Sequence, residues 1–114
     1  MRKEPKYKRR FRRFATMGMV RLLQSPEDKG KEAYIANISR DGIGLYTRKQ
    51  VRPGETYYIR PMSWNNLDEL WTAKAVWCKA EGDCIMAGFR FTLMTDQDFD
   101  RIKKRLLPSF TPTP

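Results

Sequence analysis

Residues 84–92, Cys84-Ile85-Met86-Ala87-Gly88-Phe89-Arg90-Phe91-Thr92, carry the cleanest alternation in the chain. Ile85, Ala87, Phe89 and Phe91 fall on one side, Gly88 and Arg90 on the other, which is the period of two that a strand with one buried face requires. Upstream, Glu81-Gly82-Asp83 supplies turn chemistry. Residues about 70–79 before it read as another strand, with Trp71, Ala73, Ala75 and Trp77 sharing one face and Val76 and Cys78 the other. This pair of strands sets the pattern for the rest of the chain.

Working further back, Tyr57, Tyr58 and Ile59 begin a strand of β-favouring residues after the turn Arg52-Pro53-Gly54. A strand over about 43–48 carries Ile43 and Leu45, and one over about 31–38 runs through Ala33, Ile35 and Ile38. The first, over about 15–24, carries Met17, Met19, Val20, Leu22 and Leu23 and ends near Ser25-Pro26. Ser63 to Leu70, with Asn65-Asn66 inside it, reads as a longer loop, and Trp64 and Trp71 read as packing residues. Downstream of the quoted stretch the period changes. Thr95 can cap a helix with Asp98 three residues on, acids load its first turns and Lys103, Lys104 and Arg105 its last. Phe99, Ile102 and Leu106 make one apolar stripe, and Pro108 ends the helix. Short strands and one terminal helix predict a mainly all-β chain: a six-stranded antiparallel β-barrel with a C-terminal helix, closed because closure removes exposed edges from so small a sheet.

The 114 residues are one domain by length, and 40% hydrophobic and 12% aromatic content suffices for a core. Neither a membrane-length apolar run nor a signal-peptide-like start is visible, so a cytoplasmic location is expected. The chain has no histidine, and its two cysteines, Cys78 and Cys84, make neither a disulfide framework nor a zinc set. They flank a turn and could face each other, but in a reducing compartment they read as free thiols. Without histidine, a nucleophile–base pair or a phosphate-cradling glycine loop, an enzyme is disfavoured and no cofactor or metal is expected.

Charge is concentrated. Residues 1–13 hold eight basic residues and one acid, so this segment supplies seven of the chain's ten net positive charges. Charges at that density repel, cannot be buried and seek anions, which makes residues 1–14 a flexible basic arm. The domain proper is expected over 15–107, with 108–114 a disordered tail.

Two motifs carry the functional reading. Arg9-Arg10-Phe11-Arg12-Arg13 contains an Arg-x-x-x-Arg pair, and Asn37-Ile38-Ser39-Arg40-Asp41-Gly42 is an Asn-x-Ser-x-x-Gly pattern at a strand end. One strand, a loop and a second strand fit between them, which brings both to one part of the surface. An arginine fork can bond the O6/N7 edge of guanine or clamp phosphate, and its plane can stack on a purine. Asn37 and Ser39 offer neutral donors and acceptors, and Gly42 lets the backbone turn sharply and approach a ligand.

These motifs, with Val76-Trp77, Gly88-Phe89-Arg90-Phe91 and the closing helix, resemble the PilZ domain family, whose members bind cyclic di-GMP. The resemblance implies a split six-stranded barrel whose arm folds over the ligand. It implies that Arg9 and Arg13 contact guanine and phosphate, with Arg10 and Lys8 helping, and that Asn37, Ser39 and Gly42 hold a guanine from the barrel side. Asn37 stands where Asp is frequent, though the family pattern admits both. Lys8 occupies a variable position linked in the family to ligand stoichiometry. Trp77 stays open between stacking on a guanine and packing in the barrel. Arg90 reads as a surface charge. The implied function is a cyclic di-GMP receptor that signals to an effector protein, with outputs in the family that include motility, polysaccharide secretion and transcription. The alternatives are a nucleic-acid-binding barrel, disfavoured because the strands are not notably basic, and a PilZ-like scaffold that does not bind the nucleotide.

Overall fold

The computed structural model describes residues 14–15, 18–62, 69–106 and 111–112. Its strands are β1 (Phe14–Ala15), β2 (Met19–Leu23), β3 (Lys31–Ile38), β4 (Gly42–Thr47), β5 (Thr56–Pro61), β6 (Trp71–Glu81), β7 (Cys84–Phe91) and β8 (Thr111–Pro112), with helix α1 (Asp96–Leu106) between the last two. Six of them close a ring in the order β2-β5-β6-β7-β4-β3, sealed by β2 against β3, and every pairing is antiparallel. The six-stranded barrel with one C-terminal helix is as expected.

The inward positions form the core. Val20, Leu22, Ala33, Ile35, Ile38, Ile43, Leu45, Ile59, Ala73, Ala75, Ala87 and Phe89 are all buried. Tyr57 meets Phe89 edge to face with ring centroids 5.7 Å apart, and Trp71 meets Phe91 likewise at 6.1 Å. Tyr57 resolves its own polarity because its hydroxyl accepts the Arg52 amide at 2.8 Å. The alternation of residues 84–91 holds as read: Ala87, Phe89 and Phe91 are buried, Ile85 packs against the core, and Arg90 is exposed.

Helix α1 begins as its sequence dictates. Asp98 N–H donates to the Thr95 hydroxyl at 3.0 Å, and Thr95 N–H donates back to the Asp98 carboxylate at 3.2 Å. Phe99 and Ile102 press on the barrel, both buried. A buried carboxylate that the sequence did not announce anchors the helix: Glu69 accepts Trp71 Nε1–H at 2.9 Å and Arg101 Nη2–H at 2.8 Å. Trp64, the rest of its loop and the Leu106 side chain lie outside the described residues.

Two strands depart from simple alternation. The β3–β4 register slips between Ile35 and Asn37, and the β6–β7 register slips between Ala75 and Trp77. Each slip inserts one extra residue, Ala36 or Val76, and reverses the phase of the residues after it. The expected grouping of Trp77 with Trp71, Ala73 and Ala75 is therefore corrected. Trp77 stands on the outer face opposite Gly88, and Cys78 turns inward opposite Ala87 to pack on the core. The cysteines do not face each other either: Cys84 is the partner of Glu81, three residues along β6 from Cys78, and both thiols are free.

The far edge of β3 is shared. Its first half pairs with β2 through Lys31, Glu32, Ala33 and Tyr34, and its end pairs with β1 through Asn37 and Ile38. Between them Ile35 N–H donates to the Gly18 carbonyl at 2.8 Å. β8 pairs with β1 on the other side, Ala15 opposite Thr111.

Candidate functional site

The two bulges act together. Across the outer face the register aligns Asn37 (β3), Gly44 (β4), Gly88 (β7) and Trp77 (β6) in a single row. A strand face normally offers a side chain at each such position, but here the two central ones have none. The end residues lean over them. A Cβ on Gly44 would stand 3.1 Å from Asn37 Oδ1 and 3.2 Å from its Nδ2, and a Cβ on Gly88 would overlap the five-membered ring of Trp77. Both glycines are buried under these neighbours, whereas Asn37 and Trp77 are half-buried and keep contact with solvent. An amide that can read a base edge and an indole that offers a flat face thus flank a smooth floor two strands wide.

At the end of β3, Ser39 and Gly42 close the turn. Ser39 N–H donates to the Gly42 carbonyl at 2.8 Å, and Gly42 N–H donates to the Ser39 hydroxyl at 3.3 Å. Ser39 is buried, so its hydroxyl shapes the turn from within. The need for glycine at 42 differs from the sharp turn that the sequence suggested. Its φ is not positive, and positive φ among the described residues is confined to Gly30, Gly54 and Gly82. A Cβ at 42 would instead overlap the Phe89 carbonyl, so glycine lets β4 approach β7. Arg40 and Asp41, between the two, tie the turn to the rest of the chain. Arg40 Nε–H bonds Asp96 at the start of α1 at 2.7 Å, and Phe91 N–H donates to the Asp41 carbonyl at 2.8 Å.

Of the residues singled out from the sequence, the structure brings Asn37 and Trp77 into one row and sets Ser39 and Gly42 at its end. Lys8, Arg9, Arg10 and Arg13 lie outside the described residues. Sequence reasoning missed Gly44 and the role of Gly88. The signal for the first bulge was the spacing of Ile35 and Ile38, both inward yet three apart, which no unbroken strand permits.

The two rows adjacent to this one carry no acidic side chain among the described residues. The next row in one direction is Gly42, Arg90 and Lys74, and in the other it is Tyr34, Tyr46, Met86 and Lys79. Among the described residues there is no group of three or more metal-binding side chains, and no helix is long and apolar enough to cross a membrane.

Comparisons with known proteins agree on the architecture. The family model of the PilZ domain matches residues 7–107. Among solved structures, the chain is similar to the PilZ domain with c-di-GMP of YcgR from Escherichia coli, with a TM-score of 0.65 and 11% identity over 90% of this chain and 92% of that one. No curated protein sequence matches.

Proposed function

The chain belongs to the PilZ domain family, and from that premise we propose that it is a receptor for cyclic di-GMP, a ligand-binding module rather than an enzyme, that reports ligand to an effector protein. Asn37 reads a guanine edge over the Gly44–Gly88 floor, Trp77 stacks on a guanine face, and Ser39 and Gly42 hold the turn that positions Asn37. Arg9 and Arg13, assisted by Arg10 and Lys8, close over the ligand from the arm and bond guanine and phosphate.

The observation that carries this reading is the pairing of Phe14–Ala15 with Asn37–Ile38. It tethers the basic arm to the strand that bears the second motif. Arg13 directly precedes Phe14 in the chain, and Arg9 lies five residues before it, a reach of at most about 18 Å. Closing the arm costs about 1–2 kcal/mol of backbone entropy per ordered residue. The ligand offsets this with charge-assisted hydrogen bonds and stacking, and its effect on a partner is bounded by its differential affinity for the open and closed arm. The output pathway is set by that partner and not by the barrel.

Isothermal titration of the chain with cyclic di-GMP, with GTP and cyclic di-AMP as controls, tests the proposal. Selective saturable binding is expected, abolished by Arg9→Ala or Arg13→Ala with an unchanged melting temperature, and weakened less by Ser39→Ala. Binding that survives both arginine substitutions would remove the arm from the site. No heat and no thermal shift with any ligand would leave the scaffold reading in its place.

A further inference from the structure

Resting on the receptor reading, we propose that Lys74 and Arg90 form a fixed clamp on the barrel wall for a phosphodiester of the bound dinucleotide. The motifs put every ligand-binding cation on the arm; this pair stands on the strands.

Lys74 and Arg90 are direct register partners on β6 and β7, and both are exposed. Like charges directly opposite one another on neighbouring strands are destabilising. The usual remedy is a nearby carboxylate, and much of the described surface uses it: Arg40 with Asp96, Arg48 with Asp83, Arg52 with Glu55, Lys79 with Glu81, Arg101 with Glu69 and Asp98, and Lys103 with Asp100. Among the described residues, Lys74 and Arg90 have no such partner. Their outer neighbours in the same row are Thr56 and Gly42, neither of which can neutralise them.

The position gives the unrelieved charge a use. The pair lies one row from Gly88 and Trp77 along the same two strands, about 7 Å away by strand rise, a distance that a lysine or arginine side chain spans. A base resting on the glycine floor with its face against Trp77 would carry its phosphate within reach of that row. Arg90 offers a planar fork suited to two phosphate oxygens, and Lys74 a compact point charge. Gly42 beside them leaves the approach open. Because the strands hold both cations near their working positions before ligand arrives, they bind without the ordering cost that the arm must meet.

The test combines titration with cyclic di-GMP at low and high salt with melting of the ligand-free protein, for wild type, Lys74→Gln, Arg90→Gln and Arg90→Glu. Lys31→Gln, an exposed cation on β3, serves as control. Each neutral substitution is expected to weaken binding about tenfold, the scale of one charge-assisted hydrogen bond, and to make affinity less dependent on salt. Arg90→Glu should weaken it further. In ligand-free protein the same substitutions should raise the melting temperature, Arg90→Glu most, because repulsion across the strands is replaced by attraction. Losing affinity while gaining stability is a signature that a merely structural pair cannot give. Wild-type binding with unaltered affinity and salt dependence in all three variants would overturn the clamp and leave the receptor reading standing. An equal loss in Lys31→Gln would overturn it as well, by reducing it to general charge. Failure of the wild type to bind would overturn both.

Discussion

Two walls of this barrel each set a pair of like charges side by side, and they handle it differently. On β2 and β5, Arg21 faces Arg60. Both are half-buried, Arg21 donates to the Gly30 carbonyl at 3.1 Å, and its neighbour across β3 is Glu32. On β6 and β7, Lys74 faces Arg90 in the open, with a threonine and a glycine beyond them. The first wall also has full-sized outward side chains, while the second is floored by Gly44 and Gly88 and flanked by two bulges. The first wall binds Arg21 into its own structure, while the Nε of Arg60 is buried there without a hydrogen-bond partner among the described residues. The other leaves two like charges exposed side by side next to a flat glycine floor, a cost in stability that the receptor reading would account for.

The contrast breaks most severely if a side chain is placed where the second wall needs none. Gly42→Ala drives a methyl group into the Phe89 carbonyl, part of the backbone rather than a movable tip. It should cost on the order of 3 kcal/mol in a urea unfolding experiment. Gly88→Ala meets first the half-buried Trp77 ring, a side chain rather than backbone. Its cost to stability should be smaller, about 1 kcal/mol, but it should remove most cyclic di-GMP affinity measured by titration. Trp77→Ala should cost about 1–3 kcal/mol in binding, the usual loss for one stacked base, and less in stability. On the other wall, Arg21→Gln removes as much charge as Arg90→Gln and should leave affinity unchanged; an equal loss would erase the distinction between the walls.

The smallest effect is one of pH. The Asp98 carboxyl is held below its ordinary value of 3.8, first by its side-chain hydrogen bond with Thr95, then by the Thr95 backbone and by Arg101. A depressed carboxylate contributes stability in full above its unfolded pKa and loses it as pH falls through the lower folded value. The melting temperature should therefore drop below about pH 4, and Asp98→Asn should flatten that drop while costing about 1 kcal/mol or less at neutral pH.

How far the sequence could be read depends on the same contrast. The regular strand β7 was legible residue by residue because nothing interrupts its period. Thr95 and Asp98 announced the start of α1 because capping is local chemistry. The bulged strands were not legible in phase. The run Trp71, Ala73, Ala75, Trp77 alternates perfectly, yet one inserted residue at Val76 sends its last member outward, and both Trp77 and Cys78 are acceptable on either face. The site inherits that limit: Asn37, Ser39, Gly42 and Trp77 were named from motifs, but Gly44 enters only through its register with Asn37 and Gly88. Glu69 was invisible for a similar reason, since its partner Arg101 is 32 residues away and no local pattern joins them.

The divided edge of β3 has a kinetic consequence. β2 holds four of its residues and is itself locked to β5, whereas β1 holds only Asn37 and Ile38. Deuterium uptake along this strand should be biphasic: β4 holds one side of it throughout, and on the other side the amides bonded to β2 should exchange only when the whole barrel opens, those bonded to β1 each time β1 detaches. A single strand therefore contains its own reference clock and its own reporter, and isotope exchange can time the opening of the arm against the lifetime of the fold without a label on either.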